Sequence, residues 1–290
     1  VVAKVKKLTL QKRRCVAMHE KYCDIVIGAP YSSTQFASRH LINTFALGIP
    51  FQPNQAFSYA SSRPQGDAGV ARPVRILHSP SSPMVKGSQQ IIRAIEQLRA
   101  RGHAIDFVLI HGRPFWEVLE AIQRCDFVVD QLFSDTPMAR FAAESAWFGK
   151  PAIVGGYGLD RLKQYVPEGM WPPAKTCHPE LVEQAIEELI LDVDQRHRLG
   201  REAQAFVREK WTDVMVAGRY VRLIEGDIPE AWWLDPEEVV YLEGGGQSEA
   251  RARQMIRPLV EAYGTDALAL EHRPGLRNAF LEFAGIRALD

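Results

Sequence analysis

Four cysteines in 290 residues, Cys15, Cys23, Cys125 and Cys177, are scattered, with no C-x-x-C spacing and no paired histidines nearby. That scarcity argues against a zinc site or a disulfide framework and predicts reduced thiols, as in a cytoplasmic protein. No apolar run approaches the roughly 20 residues that cross a bilayer, and no signal-peptide pattern is present. Neither sign of charge is in excess. Thirty-five basic side chains meet 35 acidic ones, so the strong positive field of a typical nucleic-acid binder is missing. The glycine framework of a Walker A loop is also absent, and no internal repeat is evident. The chain opens on Val1 rather than Met, from which a fragment or a processed chain is expected.

Against those absences stand 46% apolar and 24% charged residues, ample for a core and for two domains. The neutral total hides an uneven spread. Lys4, Lys6, Lys7, Lys12, Arg13 and Arg14 crowd the start, and Glu225, Asp227, Glu230, Asp235, Glu237, Glu238 and Glu243 crowd a later stretch. A solvated face explains the basic start; peripheral contact with anionic lipid headgroups, or with an acidic substrate, is the alternative.

Residues 1–60 offer one buried-strand pattern, Asp24–Gly28, and little other periodicity. The turn formers around Ser61–Gly69 mark a linker, taken as 61–73. From there strands and helices alternate. Val74–His78 reads as a strand, and Ser88 as the cap of a helix that buries Ile91, Ile92, Ile95 and Leu98 and ends at Gly102. Asp106–Ile110 reads as a strand buried on both faces. Helix Phe115–Arg124, strand Asp126–Asp130, helix Ala139–Phe148 and strand Ala152–Val154 follow, then a helix with Pro179 in its first turn. Such alternation predicts an α/β fold, a doubly wound parallel sheet with helices on both faces. Ligands of such sheets bind beyond the carboxyl ends of the strands. That directs attention to Ser79–Gly87, His111–Pro114, Asp130–Arg140 and Gly155–Gly158.

The first of these loops leads from a strand into a helix start, where free N–H groups favour an anion. Ser79, Ser81 and Ser82 add hydroxyl donors and Lys86 a full charge, which suits a diphosphate; a Pro/Ser turn with an exposed lysine explains the loop equally well. The second, His111-Gly112-Arg113-Pro114 with Phe115 and Trp116 beside it, offers stacking and backbone contacts for a nucleobase, His111 itself reading as structural. In the third, Glu144 sits mid-helix between Ala142-Ala143 and Ala146-Trp147-Phe148. A carboxylate there needs a partner, because uncompensated burial costs several kcal/mol, of order 3–5. Two ribose hydroxyls would serve; so would Arg140, one turn earlier. The glycine run Gly244–Gly246 reads as a turn rather than a phosphate loop.

These pieces together resemble a known family. Residues from Val74 to about Leu223 are similar to the C-terminal domain of GT-B-fold glycosyltransferases, specifically the retaining group called family four. The resemblance is carried by the loop ending Lys86-Gly87, by Cys125-Asp126-Phe127-Val128-Val129-Asp130-Gln131, and above all by Ala143-Glu144-Ser145-Ala146-Trp147-Phe148-Gly149-Lys150-Pro151-Ala152-Ile153. It covers about half the chain, in order and in spacing. It implies a donor-binding domain over 74–225, a remnant of the acceptor domain over 1–60, and a C-terminal extension, 226–290, of no assigned role.

By the same resemblance Lys86 matches the lysine that neutralises the donor diphosphate and Glu144 the glutamate that holds the ribose, with Met138, Ala139 and Arg140 against the phosphate and sugar. Ser79, Ser81, Ser82, His111, Gly112, Arg113, Pro114, Asp130 and Gln131 complete the expected donor contacts. No metal or cofactor is expected. The implied partners are a nucleotide-sugar and a carbohydrate or lipid-linked acceptor, and the implied place is the cytoplasm or its membrane face. Two positions depart from the pattern: Thr136 stands where the family carries a second glutamate, and Pro80 where an arginine is common. A nucleotide-sugar epimerase would need acidic and histidine residues that the sequence does not place. A non-catalytic GT-B-like module that binds nucleotide or a partner protein is the alternative function.

Overall fold

The computed structural model describes residues 1–51, 72–244 and 247–286. Most of the expected linker, and Gly245 and Gly246 of the glycine turn, lie outside the described residues. The elements used below are, in chain order, α1 (Val2–Tyr22), β1 (Ile27–Gly28), β2 (Leu41–Asn43), β3 (Val74–His78), α2 (Ser88–Ala100), β4 (Ile105–Leu109) and α3 (Phe115–Arg124). They continue with β5 (Phe127–Gln131), α4 (Arg140–Trp147), β6 (Ala152–Gly155), β7 (Lys175–Cys177), α5 (Val182–Leu191), α6 (Val193–Lys210), α7 (Asp213–Glu225), β8 (Trp233–Leu234), α8 (Glu249–Tyr263) and α9 (Pro274–Phe283). Two units emerge, one of residues 1–47, 161–169 and 227–290, the other of 48–160 and 170–226.

The second unit is the α/β body that the alternation predicts. Its five strands are ordered β4-β3-β5-β6-β7, and every pair is parallel. Side chains alternate across the sheet, as the two-residue period of a strand requires. Ile76, Phe127, Val129 and Ile153 point to one face, where they pack with Ile91, Ile95 and Leu98 of α2 and Val182, Ile186 and Leu189 of α5. Leu77, Val128 and Val154, equally buried, alternate with them, and on that side α3 lies along β3 and α4 along β5 and β6, with α6 packed on α4. Both faces are therefore covered.

Several boundaries differ from expectation for identifiable reasons. β4 is an edge strand, and Leu109 is 46% exposed, so its apolar run is not buried on both faces. Ser88 does not cap α2; Gly87 does, and the Ser88 hydroxyl is taken by His78. The Asp24–Gly28 run pairs only over Ile27–Gly28.

In the first unit β2 pairs parallel to β1 and antiparallel to β8. The 21-residue α1 was not legible, because exposed Leu8, Leu10, Met18 and Tyr22 blur its apolar stripe. Its inner side brings Val2, Val5 and Val16 against a cluster made by Phe36, Leu259, Leu268, Leu276, Phe280 and Leu281. Residues beyond 226 thus share a core with the first 47. Buried Glu20 accepts from the amide and hydroxyl of Ser38, both at 2.6 Å, and buried Arg273 donates to the Thr34 carbonyl at 2.9 Å.

Candidate functional site

The strand order reverses at β3: the chain leaves it for β4 on one side and returns to β5 on the other. The crevice beyond β3 and β5 is the place where a doubly wound sheet leaves room for a ligand. Backbone and side-chain bonds tie the loops around it. Lys86 accepts from the Leu132 amide at 3.1 Å, Gly155 from the Ser134 amide at 3.0 Å and Cys177 from the Gly156 amide at 3.0 Å. His111 Nδ1 donates to the Pro80 carbonyl at 2.8 Å, joining the β4 loop to the β3 loop. Two glycines permit the close approach. Gly87 has φ +75°, and a Cβ there would sit 2.9 Å from the Leu132 side chain; one on Gly156 would sit 2.3 Å from the Ser134 carbonyl oxygen.

Two helices begin at this edge without a side-chain cap, α2 at Gly87 and α4 at Ala139, and neither has an acid in its first turn. Their first N–H groups and the positive ends of their dipoles are thus available to an anion. Beside the first start Lys86 forms a 2.7 Å ion pair with Asp130, which has no exposure. Asp130 stands where the β5–β6 register shifts between Val129 and Gln131, and a bulge of this kind re-aims a side chain. One turn inside α4, Glu144 is 5% exposed, and its carboxylate accepts from Arg140 Nε at 3.0 Å. Burial raises the Glu144 carboxyl above its ordinary value, Arg140 opposes the rise, and the nearby charge of Asp130 adds to it. His78, fully buried, bonds the Val129 carbonyl and the Ser88 hydroxyl, both at 2.7 Å, and burial lowers its pKa. With both ring nitrogens engaged it is a fixed neutral strut.

The other expected residues fall into two groups. Lys86, Asp130, Glu144 and Arg140 are linked by ion pairs and by field, and His111 is tied to the loop that carries Ser79, Ser81 and Ser82. Those three hydroxyls have no protein partner among the described residues. Gly112, with φ +66°, and Pro114 are exposed, and Arg113 pairs with Glu117 at 3.1 Å instead of facing the crevice alone. Gln131 donates to the Ser134 hydroxyl at 2.6 Å, and buried Met138 offers its carbonyl to the Thr136 hydroxyl at 3.3 Å. Ala139 is the residue before α4.

One group at the same strand ends escaped the sequence reading. Glu180 accepts from the Tyr157 hydroxyl and from His178 Nδ1, each at 2.6 Å, while the Tyr157 ring lies edge-on to His178 and parallel to Phe133. Burial and the carboxylate raise the Tyr157 pKa; the two hydrogen bonds hold Glu180 low in spite of burial. Tyr157 and Glu180 are 23 positions apart, and no local spacing announces them.

No family model matches the sequence, and no curated protein matches it. Among solved structures the chain is similar to Anabaena HepE in complex with UDP and glucose, at 15% identity over 75% of this chain and 67% of that one, TM-score 0.47. The same protein with UDP-glucose gives 15%, 75%, 68% and 0.49. A variant of S. aureus TarM in complex with fondaparinux, an α-GlcNAc-glycerol and UDP gives 10%, 55%, 37% and 0.41. At these identities each is a distant resemblance in the course of the chain.

Proposed function

We propose that this chain carries the donor-binding half of a glycosyltransferase, with a nucleotide-activated sugar in the crevice beyond β3 and β5. The observation that carries the reading is Lys86, a cation 15% exposed, set beside an uncapped helix start at the point where the strand order reverses. In the family that the sequence resembles, that position meets the donor diphosphate. Charge grows on this leaving group as the glycosidic bond breaks, and a fixed cation with oriented N–H groups stabilises it without a metal.

Glu144 is the ribose acceptor in this reading. Its present partner, Arg140, has a side chain 83% exposed and can swing away, while the carboxylate stays within the helix. The loop His111–Pro114, with Trp116 60% exposed, takes the base, and Met138–Arg140 line the sugar end. Retention, polysaccharide or glycolipid assembly, a carbohydrate or lipid-linked acceptor and an acceptor-domain remnant in residues 1–60 belong to the same proposal. So does peripheral contact with anionic headgroups: α1 exposes Lys4, Lys7, Arg14 and Lys21, and its one acid, Glu20, is buried.

One observation favours the second reading, a non-catalytic nucleotide-binding module. Thr136 replaces the expected glutamate and turns its hydroxyl into its own loop, toward the Met138 carbonyl. The whole protein with labelled nucleotide-sugars decides between them. Donor-dependent release of nucleoside diphosphate supports the transferase; nucleotide binding with no turnover supports the module; no nucleotide binding defeats both.

A further inference from the structure

The proposed anion site is neutral as it stands. Lys86 is paired with Asp130 and Arg140 with Glu144, two cations against two carboxylates. Asp130 is the unusual member. It has no exposure, one oxygen lies 2.7 Å from Lys86 Nζ, and the other, Oδ2, has no hydrogen-bond partner among the described residues. A buried polar atom left unpaired in a native fold asks for an explanation. Holding the loops together does not provide one, because the bond from the Leu132 amide to the Lys86 carbonyl already joins them. The strand shifts register just where Asp130 faces the lysine.

We infer that Asp130 is a positioning residue for Lys86, an internal counter-anion that holds the ammonium while the crevice is empty and gives it up to the ligand's phosphate. The inference rests on the nucleotide reading above and deepens it. A lysine shielded from water needs a negative partner, and Asp130 supplies one between ligands. When a diphosphate arrives, Lys86 exchanges a carboxylate for a phosphate, and the buried carboxylate then stands close to a second anion with little water to screen it. The repulsion acts on the diphosphate and spares the nucleoside. Its consequence is a weakened hold on free nucleoside diphosphate, the product that must leave after transfer.

The test is calorimetric titration of wild-type protein and Asp130→Asn with UDP, GDP and ADP, each against its own nucleoside. Asparagine keeps the shape and removes the repelling charge. For the diphosphate that the wild type binds, the variant should bind roughly tenfold tighter, with nucleoside affinity unchanged. Should Asp130→Asn fail to fold, the wild type still answers through the ¹⁵Nζ resonance of Lys86, assigned with Lys86→Arg. That resonance should move on adding diphosphate and stay in place on adding nucleoside. Equal or weaker diphosphate binding by the variant overturns the exchange and leaves the nucleotide reading intact; a resonance that diphosphate does not move overturns the exchange and the role of Lys86 in that reading together. A wild type that binds no diphosphate overturns the reading, and the exchange with it.

Discussion

Glu144 concentrates the chemistry at the scale of single residues. The sequence leaves two partners open for it, ribose hydroxyls or Arg140, and the structure shows the arginine in place with the carboxylate buried. Both partners can be true in turn, one before the ligand and one with it. Glu144→Gln separates them. Losing a charge-assisted hydrogen bond to the ribose should cost about 1.5–3 kcal/mol of nucleotide affinity, read by titration calorimetry; unchanged affinity would leave Arg140 as the whole explanation. The same variant has a signature in pH. Burial holds the folded carboxyl above its ordinary 4.5, so the folded state keeps a proton that the unfolded chain has released. The stability Glu144 contributes is therefore full below about pH 4.5 and is lost as pH rises through the folded value. Urea melts from pH 4 to 8 should show wild type losing stability relative to Glu144→Gln across that rise. A constant difference would mean that the carboxyl is not perturbed.

Elements with strong local signals were legible, and those defined by distant neighbours were not. Val74–His78 and Phe115–Arg124 fall where the apolar pattern puts them, because their periodicity is unambiguous. α1 was missed because basic and apolar residues share its outer face. The two-sided burial expected of β4 failed because nothing within a strand says whether a further strand lies beside it. Ser88 looks like a cap from its neighbours in sequence, yet His78, ten positions earlier, claims its hydroxyl. At this scale the turn before α2 should be intolerant of a side chain. Gly87→Ala forces φ +75° on alanine and drives a methyl into Leu132, so unfolding free energy should fall by about 1–3 kcal/mol, measured by chemical denaturation. A change near zero would show that the β3 and β5 loops are not as closely joined as the Lys86–Leu132 bond implies.

For the whole molecule, the sheet, its order of alternation and the loops worth searching could be read from residues 74–225, where each strand–helix step repeats the same pattern. The role of residues beyond 226 could not, since their contacts in the first unit reach back more than 200 positions, as Arg273 does to Thr34. The Arg140–Glu144 pair, one helical turn apart, was legible as partners, whereas Lys86 and Asp130 were legible only as residue types: they are 44 positions apart, and only the reversal of strand order brings them together. The central claim is that this reversal point binds the diphosphate of a nucleotide through Lys86. Its most direct test is calorimetric titration of wild type and Lys86→Ala with nucleoside diphosphates and with the matching nucleosides. Lys86→Ala should lose at least tenfold in diphosphate affinity, about 1.4 kcal/mol, with nucleoside affinity nearly unchanged. Equal loss for both ligands, or no loss for either, would contradict it.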